Sequence, residues 1–111
     1  MDLELAGKNA IVTGGSLGIG SAIALTLARE GCNVAINYRR HDTEAKEIVR
    51  KIEEMGRKGL AIKADVASYD DAQKTVQTVI AEFGSLDILV CNAGINWDGV
   101  IWKMSEEQWD T

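Results

Sequence analysis

Asn9-Ala10-Ile11-Val12-Thr13-Gly14-Gly15-Ser16-Leu17-Gly18-Ile19-Gly20 is the stretch from which the fold of this chain can be read. Its first half is a continuous apolar run, the mark of a strand buried on both faces. That run passes directly into glycines and then into a helical pattern, the context a phosphate-binding glycine motif requires. Gly14 allows a sharp turn, Gly18 lets the backbone approach a diphosphate with no side chain between, and Gly20 permits close packing of helix on strand. The exposed amides and the helix dipole then attract the anion. The spacing is G-x-x-x-G-x-G and not the general G-x-G-x-x-G, so alone the stretch also reads as a tight turn. The segments downstream of it decide its meaning.

Outward from that motif, apolar runs at Asn33 to Tyr38, Leu60 to Ala64 and Leu86 to Cys91 alternate with helical patterns. Such alternation predicts a parallel sheet with crossover helices. Ala10-Ile11-Val12 and Ile88-Leu89-Val90 are apolar enough to be central strands. The first helix carries Ile19, Ala22, Ile23 and Leu27 and ends at Gly31. The second carries Ala45, Ile48, Val49, Ile52 and Met55, with Asp42 or Thr43 as N-cap and Gly56 as its stop. The third carries Ala72, Val76, Val79, Ile80 and Phe83 between Ser68 and Gly84. These stripes are core faces. There is no proline, repeat or linker, so glycines and caps supply the punctuation.

At 111 residues the chain forms one domain, since single domains commonly run to about 100–150 residues. With 46% hydrophobic and 26% charged residues it has the composition of a globular protein. A net charge of −5 argues against a nucleic-acid partner. Cys32 and Cys91 show no metal-ligand or CxxC spacing and read as small hydrophobes, and no metal ligands are assigned. The start, Met1 to Leu5, lacks the basic and apolar parts of a signal peptide, and no segment approaches the ~20 apolar residues of a membrane span. A cytoplasmic address without membrane contact is the expectation.

Asp65-Val66 follows the third strand and Asn92-Ala93-Gly94 the fourth, both at the carboxyl edge where open α/β sheets bind ligands. In order, TGGSLGIG, ADV and CNAG resemble the N-terminal half of the short-chain dehydrogenase/reductase family, over essentially the whole chain. The resemblance implies an α/β Rossmann-type doubly wound parallel sheet of strand order 3-2-1-4, the N-terminal half of a three-layer α/β/α domain, with residues 1–111 as an NAD(P)-binding unit. It implies that Gly14, Ser16, Leu17, Gly18, Ile19 and Gly20 line the pyrophosphate and adenosine ribose. Asp65 and Val66 would flank the adenine, and Asn92, Ala93 and Gly94 would lie beside the nicotinamide ribose. Asp65 also reads as a helix-capping or turn aspartate. The family usually has Asn where Cys91 stands, at the end of a buried strand that tolerates a cysteine.

NAD-specific members of the family place an acid at the end of the second strand. Here Tyr38 holds that position, followed by Arg39, Arg40 and His41. A carboxylate would repel a 2′-phosphate and a guanidinium can grip it, so the cofactor expected is NADP. Against this, Arg39 and Arg40 also read as a solvated basic loop, and many similar reductases carry Arg where this chain has Leu17. The run Gly84 to Trp109 is most like 3-oxoacyl-acyl-carrier-protein reductases, with sugar dehydrogenases of the same family as the alternative. That branch implies a small carbonyl substrate, possibly carried on acyl-carrier protein, a role in fatty acid biosynthesis, and a homotetramer.

The family's chemistry rests on a Ser and a Tyr-x-x-x-Lys pair. Neither tyrosine here has a lysine four residues on, because Asp42 follows Tyr38 and Gln73 follows Tyr69 at that distance. No catalytic residue is therefore assigned, and the chain reads as the cofactor-binding half of an enzyme, or else as a non-catalytic NADP-binding module or a phosphate-binding regulatory protein. Trp97, Trp102 and Trp109 line a substrate-side loop or simply pack. Ser105-Glu106-Glu107-Gln108 is a capping-box signature opening a helix that Thr111 cuts short. Residues 1–111 alone are accordingly expected to self-associate and to lack reductase activity.

Overall fold

The computed structural model describes residues 5–14, 18–65 and 68–91. They form β1 (Asn9–Thr13), α1 (Gly18–Arg29), β2 (Asn33–Tyr38), α2 (Asp42–Glu54), β3 (Gly59–Lys63), α3 (Tyr69–Phe83) and β4 (Ile88–Val90). The strands make one parallel sheet in the order β3-β2-β1-β4, with Ile11 opposite Ala35 and Leu89, and Ala35 opposite Leu60. This is the α/β order that the family resemblance implied.

β1 is buried along its whole length, as a strand covered on both faces must be. Its alternate residues divide the core. Ala10 and Val12, with Val34 and Ile36 of β2, meet Ala24, Ala28, Ala45, Ile48 and Ile52 of α1 and α2. Ile11 and Ala35 face the other way, toward Val76 and Val79 of α3 and Leu86. Two helices therefore cover one face and one covers the other, as right-handed crossovers in this strand order demand.

α1 packs one position away from the stripe read in the sequence. Gly20, Ala24 and Ala28 are its buried residues, Ile23 and Leu27 are half-buried, and Ile19 is 72% exposed. Spaced four apart, the three small residues form a flat strip that lets the helix sit close on the sheet, with the larger side chains flanking it. Apolar bulk marked the wrong row because smallness, not size, selects the contact here.

The second helix also differs at its start. His41, not Asp42 or Thr43, is the N-cap, with φ at 67° and no side-chain cap, while Asp42 lies within the first turn and pairs with Lys63 at 3.6 Å. α3 follows expectation, with the Ser68 hydroxyl accepting from the Asp71 amide at 3.4 Å and Gly84 ending the helix. Thr75 joins its buried face. β3 and β4 begin and end one or two residues from the apolar runs, because register with β2 and β1 sets them. Leu86 is buried before β4 begins.

Gly31 closes α1 at φ 106°, where a Cβ would lie 2.8 Å from Ala6 Cα. Its carbonyl accepts from the Gly7 amide at 2.9 Å, strapping residues 5–8 across the α1–β2 turn. Only glycine permits both the conformation and the approach.

The amino ends of the strands are tied by one buried side chain. Asn9 Nδ2 donates to Ser85 Oγ at 2.8 Å and to the Phe83 carbonyl at 3.3 Å, and its Oδ1 accepts from Asn33 Nδ2 at 2.8 Å. Asn33 Oδ1 in turn accepts from the Lys58 amide at 3.0 Å, and Asp87 Oδ2 from the Asn9 amide at 2.9 Å. The entries to all four strands are thus joined.

Candidate cofactor site

At the opposite, carboxyl edge, Thr13 ends β1 fully buried, its hydroxyl 3.4 Å from the Val90 carbonyl of β4. The chain turns at Gly14, with φ 65°, and re-enters helix at Gly18, with φ 58°. At Gly18 an added Cβ would meet nothing among the described residues, and its left-handed φ excludes most other residues. Ser16 and Leu17 lie outside the described residues. Gly20, in the first turn of α1, is buried. Ile19 stands out from the first turn as a large apolar side chain without cover from the described residues.

The helix that starts here also differs electrostatically from the other two. α2 has Asp42 and Glu44 in its first turn and α3 has Asp70 and Asp71, whereas α1 has no acidic residue there. The positive end of the α1 dipole is left without a carboxylate of its own, as a site for an external anion needs.

At the neighbouring strand ends, Tyr38 is half-buried against the α1–α2 side of the core, and its carbonyl accepts from the Ala64 amide at 2.9 Å. This bond draws the ends of β2 and β3 together. Arg39 and Arg40 then emerge exposed. Arg39 Nε lies 4.0 Å from Asp65 Oδ1, the two side chains being 59% and 47% exposed, so the attraction is weak and readily rearranged. The sheet thus brings together Gly14, Gly18, Ile19, Tyr38, Arg39, Arg40 and Asp65 at one edge, while Val66, Asn92, Ala93 and Gly94 lie outside the described residues, as do Trp97, Trp102, Trp109 and the 105–108 capping box.

Two residues at this edge escaped the sequence reading. Asn37, 2% exposed, donates through Nδ2 to the Ala64 carbonyl at 2.9 Å. Asp71 Oδ2 accepts from the Asp65 amide at 3.1 Å. A polar residue inside an apolar strand was the available signal for Asn37, and the Ser68-x-x-Asp71 capping pattern for Asp71.

The two cysteines lie at opposite ends of the strands, Cys32 before β2 and Cys91 after β4. Cys32 is buried at the start of β2, and burial pushes its thiol up from its ordinary value. Cys91 is half-buried. Among the described residues no helix is long and apolar enough to cross a membrane.

Known proteins share this arrangement. Residues 8–111 match the family model described as short chain dehydrogenase. The chain is 46% identical over 103 residues to the 3-oxoacyl-[acyl-carrier-protein] reductase FabG of Staphylococcus epidermidis, covering 93% of this chain and 42% of the relative. It is 47% identical over 93 residues to the hydroxynaphthalene reductase arp2 of Aspergillus fumigatus, covering 84% of this chain and 34% of that one. The crystal structure of a short chain dehydrogenase from Burkholderia cenocepacia J2315 in complex with NADP superposes with a TM-score of 0.80 at 45% identity, over 94% of this chain and 42% of that one. This chain thus spans well under half the length of these proteins. With the family's model matched almost from end to end and the glycine turn at the head of a β3-β2-β1-β4 sheet, the chain belongs to the short-chain dehydrogenase family.

Proposed function

We propose that this chain is the dinucleotide-binding half of an NADP(H)-dependent reductase that converts a carbonyl to an alcohol, with a 3-oxoacyl group on acyl-carrier protein as the favoured substrate. The observation that carries the cofactor assignment is Arg39, half exposed at the carboxyl end of β2 where the half-buried Tyr38 offers no carboxylate. The residues present fit such a group. An acid-free first turn of α1 and Gly18, without a side chain, suit a diphosphate, and Ile19 offers apolar cover beside it.

Carbonyl reduction in such an enzyme draws its hydride from the bound dinucleotide. In this reading Gly14, Ser16, Leu17, Gly18, Ile19 and Gly20 form the diphosphate end, and Asp65 with Val66 flanks the adenine. Arg39 and Arg40 hold the 2′-phosphate, and Asn92, Ala93 and Gly94 stand beside the nicotinamide ribose. Proton transfer falls to residues beyond these 111. The similarity to the FabG protein supports the substrate class, and with it a role in fatty acid biosynthesis, a cytoplasmic address, a homotetramer and no nucleic-acid or membrane partner.

Titration of the natural polypeptide with NADPH and NADH tests the reading. NADPH should bind more tightly, and Arg39→Ala should weaken it by about 1–3 kcal/mol while leaving NADH nearly unchanged. Equal or tighter binding of NADH by the wild type would remove NADP from the proposal.

A further inference from the structure

We infer that Asp71, supported by Asn37, is a positioning residue for the adenosine end of the cofactor site, because it fixes the backbone from which the Asp65 carboxylate projects. The inference rests on the proposed cofactor reading and deepens it.

Asp65 stands at the start of the β3–α3 turn, where a loop residue would ordinarily be free to move. Here each neighbouring backbone polar group is engaged. The Ala64 amide donates to the Tyr38 carbonyl at 2.9 Å, and the Ala64 carbonyl accepts from Asn37 Nδ2 at 2.9 Å. The Asp65 amide donates to Asp71 Oδ2 at 3.1 Å, and the Asp65 carbonyl accepts from the Ser68 amide at 2.9 Å. Two of these bonds come from side chains on other elements, one from β2 and one from α3.

The bond to Asp71 departs from the ordinary helix cap. In a capping box the side chain three residues into the helix returns to the amide of the N-cap residue. Here Ser68 caps the helix, but its own amide is directed to the Asp65 carbonyl, and the Asp71 carboxylate reaches past it to the Asp65 amide. The helix start is thereby fastened to the strand end. The outcome is an Asp65 backbone fixed at the strand end, with its carboxylate 4.0 Å from Arg39, the pair that the proposed reading assigns to an adenine edge and a 2′-phosphate. Recognition groups of this kind act by being held in place, since a loose carboxylate must be ordered at each binding event.

Asn37 has the same logic from below. A buried amide in an apolar strand is costly unless hydrogen-bonded, and the bond it makes is to the residue preceding Asp65. Asp71 itself borders an open groove of about 230 Å³ shared with Ile62, Lys63, Ala64 and Lys74. It can therefore be replaced without emptying the core, and Ser68 and Asp70 remain to start the helix.

The test is calorimetric titration of the natural polypeptide with 2′,5′-ADP and, separately, with reduced nicotinamide mononucleotide, for wild type, Asp71→Ala and Asp71→Asn. Asp71→Ala should weaken 2′,5′-ADP by about fivefold to tenfold, the scale of one net hydrogen bond, and leave the mononucleotide within about twofold. Asp71→Asn keeps an acceptor oxygen and should stay within about twofold of wild type for both ligands. Unchanged 2′,5′-ADP binding in Asp71→Ala, equal loss of both ligands, or an Asn variant as weak as the Ala variant would each overturn the role. A wild type that takes up NADH but not 2′,5′-ADP would instead overturn the NADP reading, and the positioning of a 2′-phosphate site with it.

Discussion

At the amino ends of the strands, Asn9 is buried and hydrogen-bonded on both sides of its amide, to Ser85 and Phe83 through Nδ2 and to Asn33 through Oδ1. At the carboxyl ends, Arg39 and Asp65 are half exposed and 4.0 Å apart, and Gly14 follows β1 at the same edge. The polar groups of the first edge satisfy one another, so that edge contributes rigidity and offers little to a ligand. At the second, Asp65 is fixed through its backbone, while its carboxylate and the Arg39 guanidinium are half exposed. Satisfied buried polar groups stabilise a fold, and exposed charges near a helix start recruit an anion.

The contrast is sharpest in how substitutions should act. Asn9→Ala removes a buried side chain that makes three hydrogen bonds, to Ser85, Phe83 and Asn33, and is expected to lower unfolding stability by about 1–3 kcal/mol, measured by urea denaturation. A change no larger than that of an exposed residue would mean that the amino edge is not the anchor of the sheet.

Cys32, beside the same edge, donates its thiol to the Leu5 carbonyl at 3.5 Å. Burial raises its ionisation above the ordinary value of 9.0, with Arg57 opposing the shift and Asp87 and Glu30 adding to it. The folded state then keeps a proton that the unfolded chain has lost. Its contribution is complete below about pH 9 and declines as pH rises through the folded value. Wild type should lose stability relative to Cys32→Ala as pH rises above about 9, read from the difference of their denaturation midpoints. Parallel curves through that range would show that the thiol is not held protonated by the fold.

Arg39→Ala should show the smallest stability effect, within about 0.5 kcal/mol, because an exposed pair at this separation contributes little. A large loss of stability from Arg39→Ala would erase the distinction between the two edges, since the arginine would then be structural. Its effect belongs to cofactor binding, where the titration with NADPH reads it.

Local pattern alone placed the four strands, the three helices and the glycine turn, because periodicity, caps and left-handed stops act over a few residues. Ala10-Ile11-Val12 had to be a buried strand, and Ser68 and Gly84 had to bracket a helix. The same locality explains what was missed. Asn9 meets Ser85 across 76 positions and Asn33 across 24, and no short window contains such pairs. The row of α1 that meets the sheet depended on how closely two backbones approach, which favoured Gly20, Ala24 and Ala28 over the bulkier stripe. The backbone support of Asp65 required β2 and α3 to converge on one turn. Sequence by itself therefore determined the elements and the residue types at the cofactor edge, and tertiary structure decided which side chains hold that edge still, because holding depends on distances that only the packed sheet creates.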